Sequence, residues 1–328
     1  MQRSGLSPRA VGLASAVVTV IIWTSFIVIS RASSDPARGG TLTPFDIAMA
    51  RMLGAGLLLL PWGWWLNARG RAQDTPPTSS LLGLSPLPLR TTLVAGFFGG
   101  LIYPLLAYNG FVYAPAAHAS VLMPGSLPLW TTVLAAVMLG DRITPTRMLG
   151  LVFIVGGDLL VGGASLMRAF EGGSVWKGDL LFMCASSCWA CYSVTARRHA
   201  LEAVRATIAI TVFACCSFMP VYGGLLALGW VEGHFFEAPI RDILFQMLFQ
   251  GVGSVAIAGI TFTKMIQYYG AVKSTMITAL VPGLSALGAV FFLNEPLRWN
   301  LATGLAMVTV GIMFGVGAVS SATKRQVS

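Results

Sequence analysis

Three charged residues stand inside apolar runs of this 328-residue chain: Arg51, Asp158 and Lys264. A charge in hydrocarbon costs several kcal/mol unless it is paired or hydrated, so such residues mark ion pairs, proton relays or ligand contacts. Arg51 lies about seven residues into its run and Asp158 about nine from the end of its own. At about 1.5 Å per residue, both sit roughly 10 to 14 Å below the same face. Equal depth and opposite sign favour a structural ion pair, with a coupling site as the alternative, in which Asp158 carries a proton. Lys264 stands near the end of its run, where its ammonium either snorkels to the interface or reaches a substrate carboxylate.

Uncharged groups complete the chemical inventory. Trp23 and Trp189 are deep in their runs instead of at the interfaces, so each indole N–H lines a cavity or is packed between helices. Tyr103, Tyr108 and Met123 offer an aromatic and polarizable lining, and Asn109, Gln246 and Gln250 offer hydrogen bonds without charge. Such a lining suits amino-acid side chains better than sugar phosphates, which call for several cations. Cys184, Cys188 and Cys191 share one helical face and read as small packing residues, because no His accompanies them as a metal site would require. His118, His199 and His234 fall in loops or at helix ends, and no acid dyad or Ser with a base stands in a span. No catalytic residue, metal or cofactor is therefore expected.

The elements that must position these residues are membrane helices. Only 10% of the residues are charged and 55% are hydrophobic, whereas soluble domains carry about 25% charged residues. Residues 10–30, 91–117, 119–140, 206–231, 243–263, 274–294 and 299–323 form long runs without a single Asp, Glu, Lys or Arg. A helix needs about 20 such residues to cross the hydrocarbon core. Residues 43–66 and 146–167, each with one deep charge, and the shorter 180–196 bring the expected number of spans to ten. The segment 67–89 carries four prolines and reads as a loop.

The net charge of +9 is spread through short loops without an aromatic-lined patch, which argues against a nucleic-acid partner. It sets orientation instead. With the N-terminus inside, only Arg31, Arg38, Arg168, Lys177, Arg241 and Arg298 of the 21 basic residues lie outside, while Arg51 and Lys264 are in spans. The positive-inside rule then places both termini in the cytoplasm.

The chain also repeats itself. Gly12, Trp23 and Arg31 recur at an offset of 166 as Gly178, Trp189 and Arg197. Ser120, Pro128, Asp141, Gly150 and Gly157 recur at 154 as Ser274, Pro282, Glu295, Gly304 and Gly311. Two copies of five spans, 1–166 and 167–328, must enter the membrane from opposite sides, because five is odd. Inverted repeats of this kind are a recurrent architecture of secondary transporters. Pro128 and Pro282, inside the fourth and ninth spans, would bend their helices at matching places, as hinges or as fixed shape. Asn109 and Lys264 fall at equivalent positions of the third and eighth spans.

The doubled acid motif at 139–143 and 293–297, the stretch from Gly178 and Asp179 to Trp189 and Ala190, and Ala50–Arg51 resemble the drug/metabolite transporter superfamily, EamA type. The resemblance covers essentially the whole chain. Within the superfamily it is most similar to bacterial exporters of amino acids, aromatic ones in particular. It implies an all-α membrane protein of ten helices, with the first four of each repeat around a central cavity and the fifth outside. It also implies export of a small metabolite across the inner membrane and no catalysis. Nucleotide sugars or purines are the alternative cargo, and a channel or an intramembrane enzyme the alternative classes.

Overall fold

The computed structural model describes residues 8–72, 79–262, 264, 265, 268 and 277–326. Ten helices run through them: α1 Pro8–Ser34, α2 Pro44–Ala72, α3 Leu89–Tyr113, α4 Ala116–Leu139, α5 Pro145–Met167, α6 Val175–Arg198, α7 Ala203–Ala227, α8 Ile240–Phe262, α9 Leu280–Leu293 and α10 Trp299–Gln326. Among the described residues the one sheet-like feature is an isolated bridge between Ser80 and Ser85 in the α2–α3 loop. Seven helices, α1 to α5, α7 and α8, are each long and apolar enough to cross a membrane. The others fall short for visible reasons. The described part of α9 has 14 residues, and α6 turns Asp179, Ser186 and Thr195 into the protein interior.

Helix ends follow local chemistry. Thr43 and Asp46 cap α2 reciprocally: the Thr43 amide donates to Asp46 Oδ2 at 2.9 Å and the Asp46 amide donates to Thr43 Oγ1 at 3.2 Å, satisfying donors that the first turn leaves free. The same carboxylate accepts from Tyr222 Oη at 2.7 Å and from the His234 amide at 2.9 Å, which ties α2 to α7 and its following loop. Glu202 caps α7 by accepting from the Val204 and Arg205 amides, both at 3.0 Å. Gly140 and Asn294, at matching places in the two halves, end α4 and α9 in the left-handed region with φ of 73° and 51°. Asn is the side chain that replaces Gly there at least cost.

Three helices are interrupted by π segments: Gly96–Ile102 in α3, Val121–Gly125 in α4 and Met247–Ile257 in α8. Those in α3 and α8 are equivalent positions of the two halves. Here the expectation for the prolines is corrected. Pro128 is in the first turn of the helical segment Leu127–Leu139, directly after the break at Ser126, and Pro282 is in the first turn of Leu280–Leu293. First-turn prolines sacrifice no intrahelical bond; in α4 the interruption comes from the Pro124 segment that precedes Pro128. Ser274, the expected counterpart of Ser120, lies outside the described residues.

Several helix contacts recur when each helix is exchanged for the one five places away, while others, such as α2 with α3 and α1 with α4, have no comparable counterpart among the described residues. Among those that recur, α2 packs on α8 and α7 on α3, α1 on α9 and α6 on α4, α3 on α6 and α1 on α8. The pairs α2–α7 and α5–α10 are their own counterparts. At the α5–α10 crossing, Gly150 faces the Gly311 carbonyl and Gly157 faces the Gly304 carbonyl, each so closely that an added Cβ would lie 2.6 Å from the oxygen. The two helices therefore run antiparallel and meet through repeat-equivalent glycines. Small residues let backbones approach in this way where lipid offers no hydrophobic drive for helix association.

Candidate functional site

The bundle encloses a cavity of about 500 Å³ whose deep end is formed by Trp23 of α1, Arg51 of α2, Trp189 of α6 and Ser254 of α8. It runs past Tyr192, Thr207, Thr211 and Phe262 to Leu201, Glu202 and Ala203 in the α6–α7 connection. The mouth therefore lies on the face of the bundle that carries Arg197. A smaller extension of about 90 Å³ leads from Arg51 to Tyr103, Met123 and Ser186. The main cavity has the size of a small-molecule site.

Aromatic rings are arranged in two groups across the cavity. Trp23 and Phe262 have centroids 4.9 Å apart, and Trp189 lies 4.8 Å from Tyr103 and 5.0 Å from Tyr192. Tilted pairs at these distances fix the rings as rigid walls. Gly99 makes room for Tyr192, whose ring atoms would be 2.8 Å from a Cβ there.

Arg51 is 8% exposed and is the cation in this lining. Its Nη1 donates to Ser254 Oγ at 3.3 Å and to Tyr108 Oη and the Gln250 carbonyl at 3.4 Å, with its guanidinium carbon 5.8 Å from the Phe26 ring centre. Tyr108 in turn donates to Gln250 Oε1 at 3.1 Å, and Gln250 Nε2 donates to Ser30 Oγ at 3.2 Å. Tyr108 and Gln250 are fully buried, so they form a support behind Arg51 and not the wall of the cavity.

Other expectations are corrected by helix rotation. The Arg51–Asp158 pair does not form, since Arg51 points into the bundle while Asp158 faces a separate pocket of about 240 Å³ between α5, α6 and α4, beside Trp176 and Met183. Neither Asp158 oxygen has a hydrogen-bond partner among the described residues. Gln246 reaches outward along α8 to Ser33 Oγ at 2.8 Å. Asn109 donates back to the Leu105 carbonyl at 2.8 Å, and Lys264 is exposed, outside the cavity lining.

The far end is shut. Beyond Tyr108 the core is filled by Phe26, Ile27, Ile47 and Phe111. Over them Glu295, 5% exposed, accepts from the Ala116 and Ala117 amides, both at 3.0 Å, and faces Arg31 Nε at 3.6 Å. Arg31 also donates to the Phe111 carbonyl and pairs with Asp35 at 2.8 Å. Arg31 and Glu295 are the repeat counterparts of Arg197 and Asp141, which pair at 2.6 Å on the opposite, mouth-bearing face. That second pair is exposed.

The EamA-like transporter family model matches this chain in two stretches, residues 10–163 and 176–316. The chain belongs to that family. This EamA-like transporter is 25% identical over 305 residues to an uncharacterized transporter of Archaeoglobus fulgidus, covering 90% of this chain and 93% of the relative. It is 23% identical over 328 residues to the uncharacterized transporter YcxC of Bacillus subtilis, covering 95% of each. To the uncharacterized transporter YyaM of the same organism it is 23% identical over 233 residues, 69% of this chain and 73% of the relative. A crystal structure 20% identical in sequence superposes with a TM-score of 0.55 over 92% of this chain and 95% of that one, and so shares the fold. The protein is an integral membrane transporter, and its family speaks for a carried small molecule instead of catalysis.

Several cavity residues of the transporter escape a reading of its sequence. Tyr192 is one turn from Trp189 and was accessible through that spacing. Thr207, Thr211 and Ser254 carry no such signal, being ordinary small polar residues in apolar helices. Asp158 supplies a separate test. A buried carboxyl without a partner costs about 1–3 kcal/mol, so Asp158→Leu should raise the detergent melting temperature of the purified transporter. An unchanged or lower temperature would show that Asp158 has a stabilising partner.

Proposed function

We propose that the protein exports amino acids, neutral and aromatic ones included, or related small metabolites across the bacterial inner membrane by alternating access. Its two halves act as inverted repeats, 1–166 and 167–328, and both termini are cytoplasmic. The observation that carries this reading is a mid-bundle cavity walled by aromatic rings, open toward Arg197 and shut beneath Arg31 and Glu295. Because the halves are related by exchange, the opposite state needs no new contacts in kind: the Arg197–Asp141 face closes as the Arg31–Glu295 face opens. The charge distribution makes the Arg197 face cytoplasmic, so the cavity as seen would load from the cytoplasm, as export requires.

Efflux and counterflow of labelled amino acids in proteoliposomes test the proposal. Preloaded unlabelled phenylalanine should drive accumulation of labelled phenylalanine, a coupling that a channel does not show; absence of counterflow with any amino acid would refute carrier function for this cargo. Orientation has its own check. Single cysteines at Arg168, half-buried, and Glu237, exposed, should react with an impermeant maleimide added outside cells, and one at Arg198 should not. Reaction at Arg198 would reverse the assigned orientation.

A further inference from the structure

We propose that Arg51 anchors a substrate carboxylate, so that the central site selects monoanionic organic acids with an apolar or aromatic body and does not require an amine. This rests on the reading of the cavity as the transport site and goes further by naming the group that is recognised. Arg51 is more than nine-tenths buried at the junction of the main cavity and its extension. Among the described residues no carboxylate lies within ion-pair distance of it. Its acceptors among the described residues are one carbonyl and two hydroxyls, all at 3.3–3.4 Å and all on Nη1. They hold the guanidinium in place without neutralising it, and Nη2 and Nε remain as an edge that a carboxylate can accept from in parallel.

The rest of the lining decides the charge and body of the ligand. Among the described residues no second cation lines either space, so one negative charge is balanced and a phosphate dianion is not. Among the same residues an ammonium finds no carboxylate there except Glu202 at the mouth, whose oxygens cap α7 by accepting from the Val204 and Arg205 amides. Trp23 and Phe262 on one side and Trp189 and Tyr192 on the other offer ring faces to an apolar body. An amino acid therefore binds through its carboxylate and side chain, with its ammonium left to water in the open cavity.

The test uses the full-length protein in detergent, with binding read by intrinsic tryptophan fluorescence and by calorimetry. The probes are phenylacetate, 2-phenylethanol, 2-phenylethylamine and phenylalanine. Phenylacetate should bind roughly tenfold to a hundredfold more tightly than the alcohol or the amine, the usual worth of one charge-assisted bidentate contact, and phenylalanine should follow the acid. Arg51→Lys should keep a reduced preference and Arg51→Gln should lose it. The comparison within the wild type decides alone if either variant does not fold. Equal binding of the alcohol or the amine, an acid preference that survives Arg51→Gln, or no binding of phenylacetate would each overturn the assignment. Failure here is separable from failure of the transport reading: acid-selective binding without counterflow supports the anchor and removes the carrier, while counterflow of phenylalanine with no acid preference does the reverse.

Discussion

Glu295→Ala should turn the cavity to the opposite face. In a background without the five native cysteines, a cysteine at the cavity position Ser193 will react from the Arg197 face in the parent and from the Arg31 face in this variant. The physical reason is what Glu295, from the second half of the chain, holds together in the first: two amides at the start of α4 and the side of Arg31. Removing it leaves the two buried amides without an acceptor and Arg31 with Asp35 as its remaining anion, which costs about 1–3 kcal/mol. A bias of that size moves the ratio of two conformers by roughly 5-fold to 150-fold. The counterpart change, Asp141→Ala, breaks an exposed pair worth about 0–1 kcal/mol and should shift the ratio less than about fivefold. Equal effects of the two substitutions, or no change in the reactive face, would mean that closure beneath Arg31 is made by the apolar core alone.

The contrast between these two acids shows what is legible in the sequence and what is not. Their equivalence follows from the constant offset, as does that of Arg31 with Arg197, because each residue keeps its place relative to a helix end. Which of the two is buried depends on the conformational state and leaves no mark on the residues. Depth is likewise readable, and Arg51 and Asp158 are both deep. Depth does not give rotation about the helix axis, however, and α5 turns Asp158 toward Met183 while α2 turns Arg51 inward. The same gap misplaces the glutamines. Gln246 and Gln250 share a face by their spacing, but that face meets Ser33 and Ser30 of α1 and not the cavity. The tryptophans were placed in the lining on different grounds: a deep indole whose repeat partner is also an indole has two constraints on it, one from each half.

The second large effect concerns the α5–α10 crossing. A Cβ at Gly157 would lie 2.6 Å from the Gly304 carbonyl oxygen and 2.7 Å from Val308, and one at Gly304 would lie 2.8 Å from both the Gly157 carbonyl oxygen and Val161. Backbone oxygens cannot swing away as a flexible side chain can, so Gly157→Leu must separate α5 from α10 along their whole contact. Overpacking of this kind is expected to cost about 3 kcal/mol or more. Repeat symmetry predicts the same for Gly311→Leu, whose Cβ would meet the Gly150 carbonyl oxygen at 2.6 Å. Gly163, one and a half turns further along α5, has nothing within 4 Å of an added Cβ. Gly163→Ala should therefore stabilise the helix by about 0.5–1 kcal/mol through reduced chain entropy. The measurement is the monodisperse fraction of each purified variant after a heating series in detergent. Survival of Gly157→Leu alongside Gly163→Ala would show that α5 and α10 meet on a loose seam and are not interlocked through their glycines.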